Sequence, residues 1–331
     1  MALVNVVIPA FNCGHYIGAA LESALSQSVG DVEPIVVDDG SSDDTRQVVA
    51  RFGARVRYFH QLNQGPGAAR NVALRVSTAP FLAFMDADDL WEKDHLLVKH
   101  QVLKDDDSLG GVFGDFAIFS DAGLFIPRGN RELFPFFSRS GRDFDDIFQE
   151  HGEVALPDGG VALVYRGQVF DELFLGNFIL PTSMLVRRSA ANEIGEFRPD
   201  LRTQQDYEYW LRFAKRFRLG YVDAPLVRYR RHAQQLTDPS RMEAILLAVN
   251  RIIDQYEAEF SGPERQRQYN RRKGALLCEL AKTYVGLGRG AEARACLFES
   301  IRRSPAHLPS YLTSALSLVP AAWLTWARRR R

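Results

Sequence analysis

The chain of 331 residues is poor in cysteine. Cys13, Cys278 and Cys296 are odd in number and far apart, with no C-x-x-C pair among them. That excludes a disulfide framework and a cysteine-based zinc site, and a reducing, cytoplasmic setting is expected. A surplus of one charge is missing too. The 41 Lys and Arg balance 41 Asp and Glu, so no global field favours nucleic acid or a membrane surface. The chain opens on VNVVIPAFN with no basic stretch ahead of a long apolar core, and no secretory signal is expected. Long hydrophobic runs are also lacking. Residues 308–327 carry no charged side chain, but Pro309, Pro320 and several Ser and Thr residues argue against a spanning helix there.

What is present is the composition of a folded protein, 46% hydrophobic and 25% charged, long enough for a large α/β domain and a smaller unit. Residues 3–8, 33–37, 55–59 and 81–85 are short apolar runs rich in β-branched and aromatic side chains. Each is followed by a polar turn and a helical pattern. Ile17, Leu21, Ala24 and Leu25 repeat at helical spacing after the first run. Thr45 to Phe52 does the same after the second, with Ser42 or Asp43 as candidate N-caps. This order implies a Rossmann-like, mostly parallel central sheet flanked by helices, which binds ligands beyond the carboxyl ends of its strands.

Past residue 110, GVFGDFAIF reads as a strand, and residues 120–176 as an insert or lid rather than core, which with 178–204 is expected to shape the acceptor side. QQDYEYWLRFAKR is an amphipathic helix with Tyr207, Trp210, Leu211 and Ala214 on one face, and two short strands flank Pro225. From about 238 only helical patterns remain. LAKTYVGLGRGAEARACLFESIRRSP has the Tyr, Gly, Ala and Pro placement of a tetratricopeptide-like helix pair. An array needs about three copies and one is seen, so a single helical hairpin is expected. The division expected is a catalytic domain over 1–238 and a helical extension over 239–331.

The polar residues that follow the strands carry the chemistry. FLAFMDADDLW runs an apolar strand into Asp86, Asp88 and Asp89. Two carboxylates about 4 Å apart repel by about 4 kcal/mol at an effective dielectric near 20, so at a buried strand end they need a cation. An isolated D-x-D in a loop is common, however. VDDGSSDDT places Asp38 and Asp39 after the second strand, either as a plain turn or with a carboxylate that accepts the imide N–H of a uracil-type base. IPAFN supplies a second wall of backbone at Pro9 and Ala10, with Pro9 and Asn12 fixing the turn. NQGPGAARNVAL is a glycine-bearing loop at Gly65 opening a helix, a ready anion site. Arg70, in its first turn, is poorly placed for the helix dipole, which suggests an anionic partner rather than a surface arginine. Asp206 stands where an N-cap would, and His232 in YRRH could be an ordinary strand-end histidine.

Taken together and in this order, VVIPAFN, VDDGSSDDT, NQGPGAARNVAL, FMDADD, the QD before an amphipathic helix, and YRRH resemble the family-2, inverting glycosyltransferases of GT-A fold, over roughly residues 1–235. The resemblance implies that Asp39 contacts the nucleotide base and that Arg70 lies near the ribose or diphosphate. It implies that Asp86 and Asp88 form the D-x-D element, with Asp88 closest to Mn²⁺ or Mg²⁺, and that Asp206 is the general base. His232 matches a residue that completes the metal or diphosphate site. Gln205 departs from the pattern, since many members are acidic there. The expected reaction moves a sugar from a nucleoside-diphosphate donor, UDP-type, to an acceptor hydroxyl of a saccharide or lipid-linked saccharide, in polysaccharide or glycan synthesis. A nucleotidyltransferase and a non-enzymatic nucleotide-sugar-binding protein are the alternatives, and no nucleic-acid partner is expected. In the tail, Leu312, Leu316, Val319 and Trp323 share one face, with Ser310, Thr313, Ser317 and Thr325 largely on another. Ahead of Arg328 to Arg331 this implies peripheral contact with an anionic membrane at its inner face, or else a soluble packing helix.

Overall fold

The structure is a computed structural model that describes residues 2–121, 123–232, 241–306 and 308–317. It divides into two compact units, Met1–His232 and Ala233–Arg331.

Among the described residues the first unit carries thirteen strands: β1 Val4–Ala10, β2 Val32–Asp38, β3 Arg57–His60, β4 Phe81–Phe84, β5 Leu90–Trp91, β6 Leu109–Gly114, β7 Ala117–Ser120, β8 Gly123–Ile126, β9 Glu150–Ala155, β10 Val161–Gly167, β11 Leu185–Arg187, β12 Arg218–Val222 and β13 Val227–Arg230. Nine form one sheet in the order β3-β2-β1-β4-β11-β6-β12-β10-β9. The pairs β1–β2, β1–β4, β2–β3 and β6–β12 are parallel. Only β11 and β10 run against the rest. A smaller sheet, β5-β13-β7-β8, lies beside it. The interior strands are apolar on both faces because helices cover both. Val4, Val6, Val7 and Ile8 are all fully buried, as are Ile35, Val36 and Val37. Because β1, β2, β3, β4, β6 and β12 point the same way, their polar carboxyl ends gather along one edge.

Four expectations change. GVFGDFAIF, expected as one strand, is two: β6 ends at Gly114 in the main sheet and β7 begins at Ala117 in the smaller one. Helix Thr45–Ala50 is preceded by Asp44 rather than Ser42 or Asp43, with no side-chain cap bond. Asp43 instead accepts from Gly14 N at 2.9 Å, Thr45 N at 3.0 Å and Thr45 Oγ1 at 2.5 Å, tying two helix starts together. Arg70 lies one residue beyond the first turn of helix Pro66–Val76. Residues 120–176 join the core. β9 and β10 extend the main sheet through β12, and Phe144 is fully buried, stacked 3.7 Å from Tyr221. Aromatic burial there outweighs the turn-rich composition, because each ring removes a large apolar surface from water.

Among the described residues the second unit has α-helices Met242–Asp254, Pro263–Gly286, Gly290–Arg303 and Leu308–Ser317, with a 3-10 turn at Glu257–Glu259. The second and third form a hairpin over a core of Cys278, Leu280, Ala281, Tyr284, Ala293 and Leu297. Gly274 permits their close approach: a Cβ there would come within 3.2 Å of the Ser300 carbonyl oxygen. The last helix packs through its polar side. Ser310 and Thr313 are buried, Ser310 Oγ lying 2.7 Å from Ser300 Oγ, while Leu312 is 62% exposed. The tail positions Val319, Trp323, Thr325 and Arg328 to Arg331 lie outside the described residues. Among the described residues no helix is long and apolar enough to cross a membrane.

Candidate functional site

At the end of β1 the chain turns sharply. Asn12 takes φ of 49°, a left-handed conformation that Asn tolerates better than most residues. Its Oδ1 accepts from Ser42 N at 2.8 Å, and its own N–H donates to Ser41 Oγ at 2.9 Å. Pro9 and Ala10 sit in register with Val37 and Asp38, and Asp39 N donates to Ala10 O at 2.8 Å. The loops after β1 and β2 are thus one laced wall, with the Phe11 ring about half exposed beside it.

Asp38 and Asp39 divide their work. Asp38 accepts from Ser41 N and from the Tyr58 hydroxyl at 2.6 Å. Asp39, 3% exposed, accepts from Gln61 Nε2 at 2.6 Å and Gln64 N at 2.9 Å through Oδ1, and from Gly65 N at 2.8 Å through Oδ2. The amides of Gln64 and Gly65, expected to face an anion, are therefore committed to Asp39. A buried carboxylate needs such donors. A carboxylate has about four acceptor positions, so three donors leave Asp39 one more on Oδ2. Gly65 has φ of 93°, and a Cβ there would press within 3.3 Å of Arg202, so only glycine fits this turn without strain.

The residues after β4 form the charged centre. Asp86 Oδ1 accepts from Arg70 Nη2 at 2.7 Å. Burial pushes the Asp86 carboxyl above its ordinary value against the pull of Arg70, with Asp88 and Asp206 pushing it further up. Burial also raises Asp206, with Arg70 opposing. Arg70, Asp86, Asp88 and Asp206 therefore share one electrostatic neighbourhood, built from helix Pro66–Val76, the β4 end and helix Gln205–Arg216. Arg70 is itself 3% exposed, lies over the Phe197 ring, and has Nε and Nη1 without a partner among the described residues.

Asp206 is not an N-cap. It is the second residue of helix Gln205–Arg216, whose cap is Gln204 at φ of 61° with no side-chain bond. The helix is held by buried Tyr207, Trp210 and Leu211, the Tyr207 hydroxyl donating to Leu173 O and Phe174 O at 3.1 Å each. Its carboxylate consequently stands at the positive end of a rigid element.

Asp88 Oδ2 lies 2.8 Å from His232 Nε2. Asp89 faces inward instead. It is fully buried and accepts from Arg230 N at 3.0 Å, and burial, then Asp88 and Asp86, raise its carboxyl well above the ordinary range. Arg230 Nε donates to Asp88 O at 2.9 Å, and its guanidinium lies over the Tyr16 ring, which itself sits beside His232. The sequence reading missed Phe11, Tyr16, Arg230 and Phe197 because an aromatic or arginine near a strand end has many ordinary roles. Burial, with Asp43 and Asp88 adding to it, pushes the Cys13 thiol up to about 12, which disfavours the thiolate.

Asp88 and His232, in contact through Asp88 Oδ2 and His232 Nε2, are side chains of types that could bind a divalent ion. Among the described residues no group of three or more His, Cys, Asp or Glu forms a metal cage. A pair of protein donors with open positions suits an ion that takes the remainder of its shell from water and substrate phosphates.

The model of the family described as "Glycosyl transferase family 2" matches residues 5–174. A protein of Rickettsia felis described as an uncharacterized glycosyltransferase is 25% identical over 265 residues, 78% of this chain and 38% of its own length. Chondroitin synthase of Escherichia coli is 36% identical over 140 residues, 41% of this chain and 20% of its own. The chain thus spans well under half the length of these relatives. Among solved structures, TarS of S. aureus in complex with UDP superposes with a TM-score of 0.53 at 18% identity, covering 93% of each chain. The mannosyltransferase PcManGT of Pyrobaculum calidifontis, in complex with GDP-Man and Mn²⁺, does so at 0.54 and 18%, covering 98% of this chain and 82% of its own. The fold is GT-A, and the chain belongs to glycosyl transferase family 2.

Proposed function

We propose that the chain transfers a sugar from a nucleoside-diphosphate donor, UDP-type, to an acceptor hydroxyl with inversion at the anomeric carbon, in the synthesis of a polysaccharide or other glycan. The observation that carries this reading is the cluster of Arg70, Asp86, Asp88 and Asp206 at the carboxyl edge of the sheet. It joins a buried cation with unspent donors to a rigid carboxylate of raised pKa, the two groups needed for an anionic leaving group and a proton-bearing nucleophile. In this reading Pro9, Ala10 and Asn12 wall the nucleotide, and the open position on Asp39 Oδ2 takes the imide N–H of the base. Arg70 faces the ribose and diphosphate, Gly65 holds the turn beside them while its amide stays on Asp39, and Asp86 holds Arg70 in place. The acceptor oxygen attacks the anomeric carbon as its proton passes to the Asp206 carboxylate. The bond from that carbon to the diphosphate oxygen breaks, and the electron pair leaves with the nucleoside diphosphate.

Asp88 and His232 would hold Mn²⁺ or Mg²⁺, which when bound supplies positive charge to the departing diphosphate. The superposed structures support this, since TarS is in complex with UDP and PcManGT with GDP-Man and Mn²⁺. Asp88→Asn is expected to abolish divalent-dependent turnover and leave the melting temperature unchanged. Full turnover in that variant, or in excess chelator, contradicts the metal assignment. In this reading the catalytic domain spans about 1–238, close to the division of the structure at His232, and the helical extension over 239–331 contacts an anionic membrane surface through its tail. The reading as a whole is tested by incubating the chain with a panel of nucleotide sugars, a divalent ion and saccharide acceptors. Released nucleoside diphosphate supports glycosyl transfer, released pyrophosphate indicates nucleotidyl transfer, and neither indicates binding alone.

A further inference from the structure

Gln205, directly before Asp206, has an environment that packing alone does not explain. It is 5% exposed, and its Oε1 has no hydrogen-bond partner among the described residues. A buried amide oxygen left unpaired costs about 1–3 kcal/mol, so a partner is to be expected from outside the chain. The side chain crosses the first turn of helix Pro66–Val76, where a Cβ on Gly67 would sit 3.3 Å from Gln205 Cγ. Gly67 and Arg70 are three residues apart and share one face of that helix. The unpaired Gln205 oxygen and the unpaired Arg70 Nε and Nη1 thus belong to the same wall, one turn apart.

We propose that Gln205 reads a hydroxyl on the sugar ring of the nucleotide-sugar donor, an inference that rests on the glycosyl-transfer reading above. A hydroxyl is the matching group because it both donates and accepts, and so satisfies the amide in either orientation. A neutral reader also suits this wall, although a glutamate would keep the same acceptor oxygen. Asp86, Asp88 and Asp206 already crowd it with carboxylates, and Asp86 is pushed toward its acid form partly by the other two. Glutamine offers the acceptor oxygen of a glutamate without a further negative charge. Its place against the helix that opens at Gly65 puts it on the donor side rather than the acceptor side.

The test measures binding of UDP, GDP, UDP-glucose, UDP-N-acetylglucosamine and GDP-mannose, with Mn²⁺, to the wild-type chain and to Gln205→Leu and Gln205→Glu. The Leu variant is expected to bind the nucleoside diphosphate as wild type does and to lose about tenfold in affinity for the sugar nucleotide. It should also discriminate less between donors that differ at one hydroxyl. Gln205→Glu, which keeps an acceptor oxygen, should retain that discrimination. Equal weakening of nucleotide and sugar nucleotide, no change in either, or a rise confined to the acceptor KM overturns the assignment. So does a large drop in melting temperature in both variants, which makes Gln205 a packing residue. A wild-type chain that binds none of the five probes overturns the glycosyl-transfer reading and this inference with it. Wild-type binding with unaltered variants overturns this inference alone.

Discussion

Asp206 holds its carboxyl above the ordinary aspartate value of 3.8 because burial outweighs the attraction of Arg70, and this has a consequence for stability. Below about pH 4 the folded and unfolded chains both keep the proton, and nothing is lost. As pH rises through the higher folded value, the unfolded chain releases its proton first and the native state loses ground. Asp206→Asn removes that loss. Its melting temperature relative to wild type should be near zero below about pH 4 and grow more positive toward neutral pH; a difference that shrinks or turns negative over that range contradicts the raised value. At this scale much of the candidate site was legible, since Asp39, Asp86, Asp88 and Asp206 are charges at strand or helix ends that need partners, and Arg70 is a buried cation near them. Directions were not legible. Nothing in DADD says that Asp89 turns inward to hold Arg230, or that Asp39 consumes the amides of the Gln64–Gly65 loop, because such orientations are set by tertiary partners.

At the scale of elements, the first four strands and the helix of Tyr207 and Trp210 were readable from periodicity, which burial enforces. Residues 120–176 were not. Their helices are only four to six residues long, too short for a period to show. The pairing that brings them into the sheet joins β10 to β12, across more than fifty residues of sequence. What the composition does carry there is phenylalanine. Phe144, fully buried and stacked on Tyr221 beneath the Arg131 guanidinium, should cost about 3–5 kcal/mol when changed to Ala. Urea unfolding monitored by circular dichroism checks this, and a loss below about 1 kcal/mol, within the range of surface substitutions, would place the segment outside the core after all.

At the scale of the molecule, the helical unit turns its last helix inside out relative to a simple amphipathic packing helix. Ser310 and Thr313 are buried while Leu312 and Tyr311 face outward, and the sequence continues into Trp323, Trp326 and four terminal arginines. The full chain should therefore co-sediment with anionic vesicles better than a chain ending after Ser317, which keeps the buried Ser310 and Thr313 contacts; equal sedimentation removes the membrane from the reading. In the proposed mechanism one rigid carboxylate at a helix start takes the acceptor proton. Single-turnover transfer in Asp206→Asn, with donor binding measured alongside, tests this step. The expected result is unchanged affinity for the sugar nucleotide and a rate lower by about 10²–10⁴-fold, whereas a rate within a few-fold of wild type would show that Asp206 is not the base.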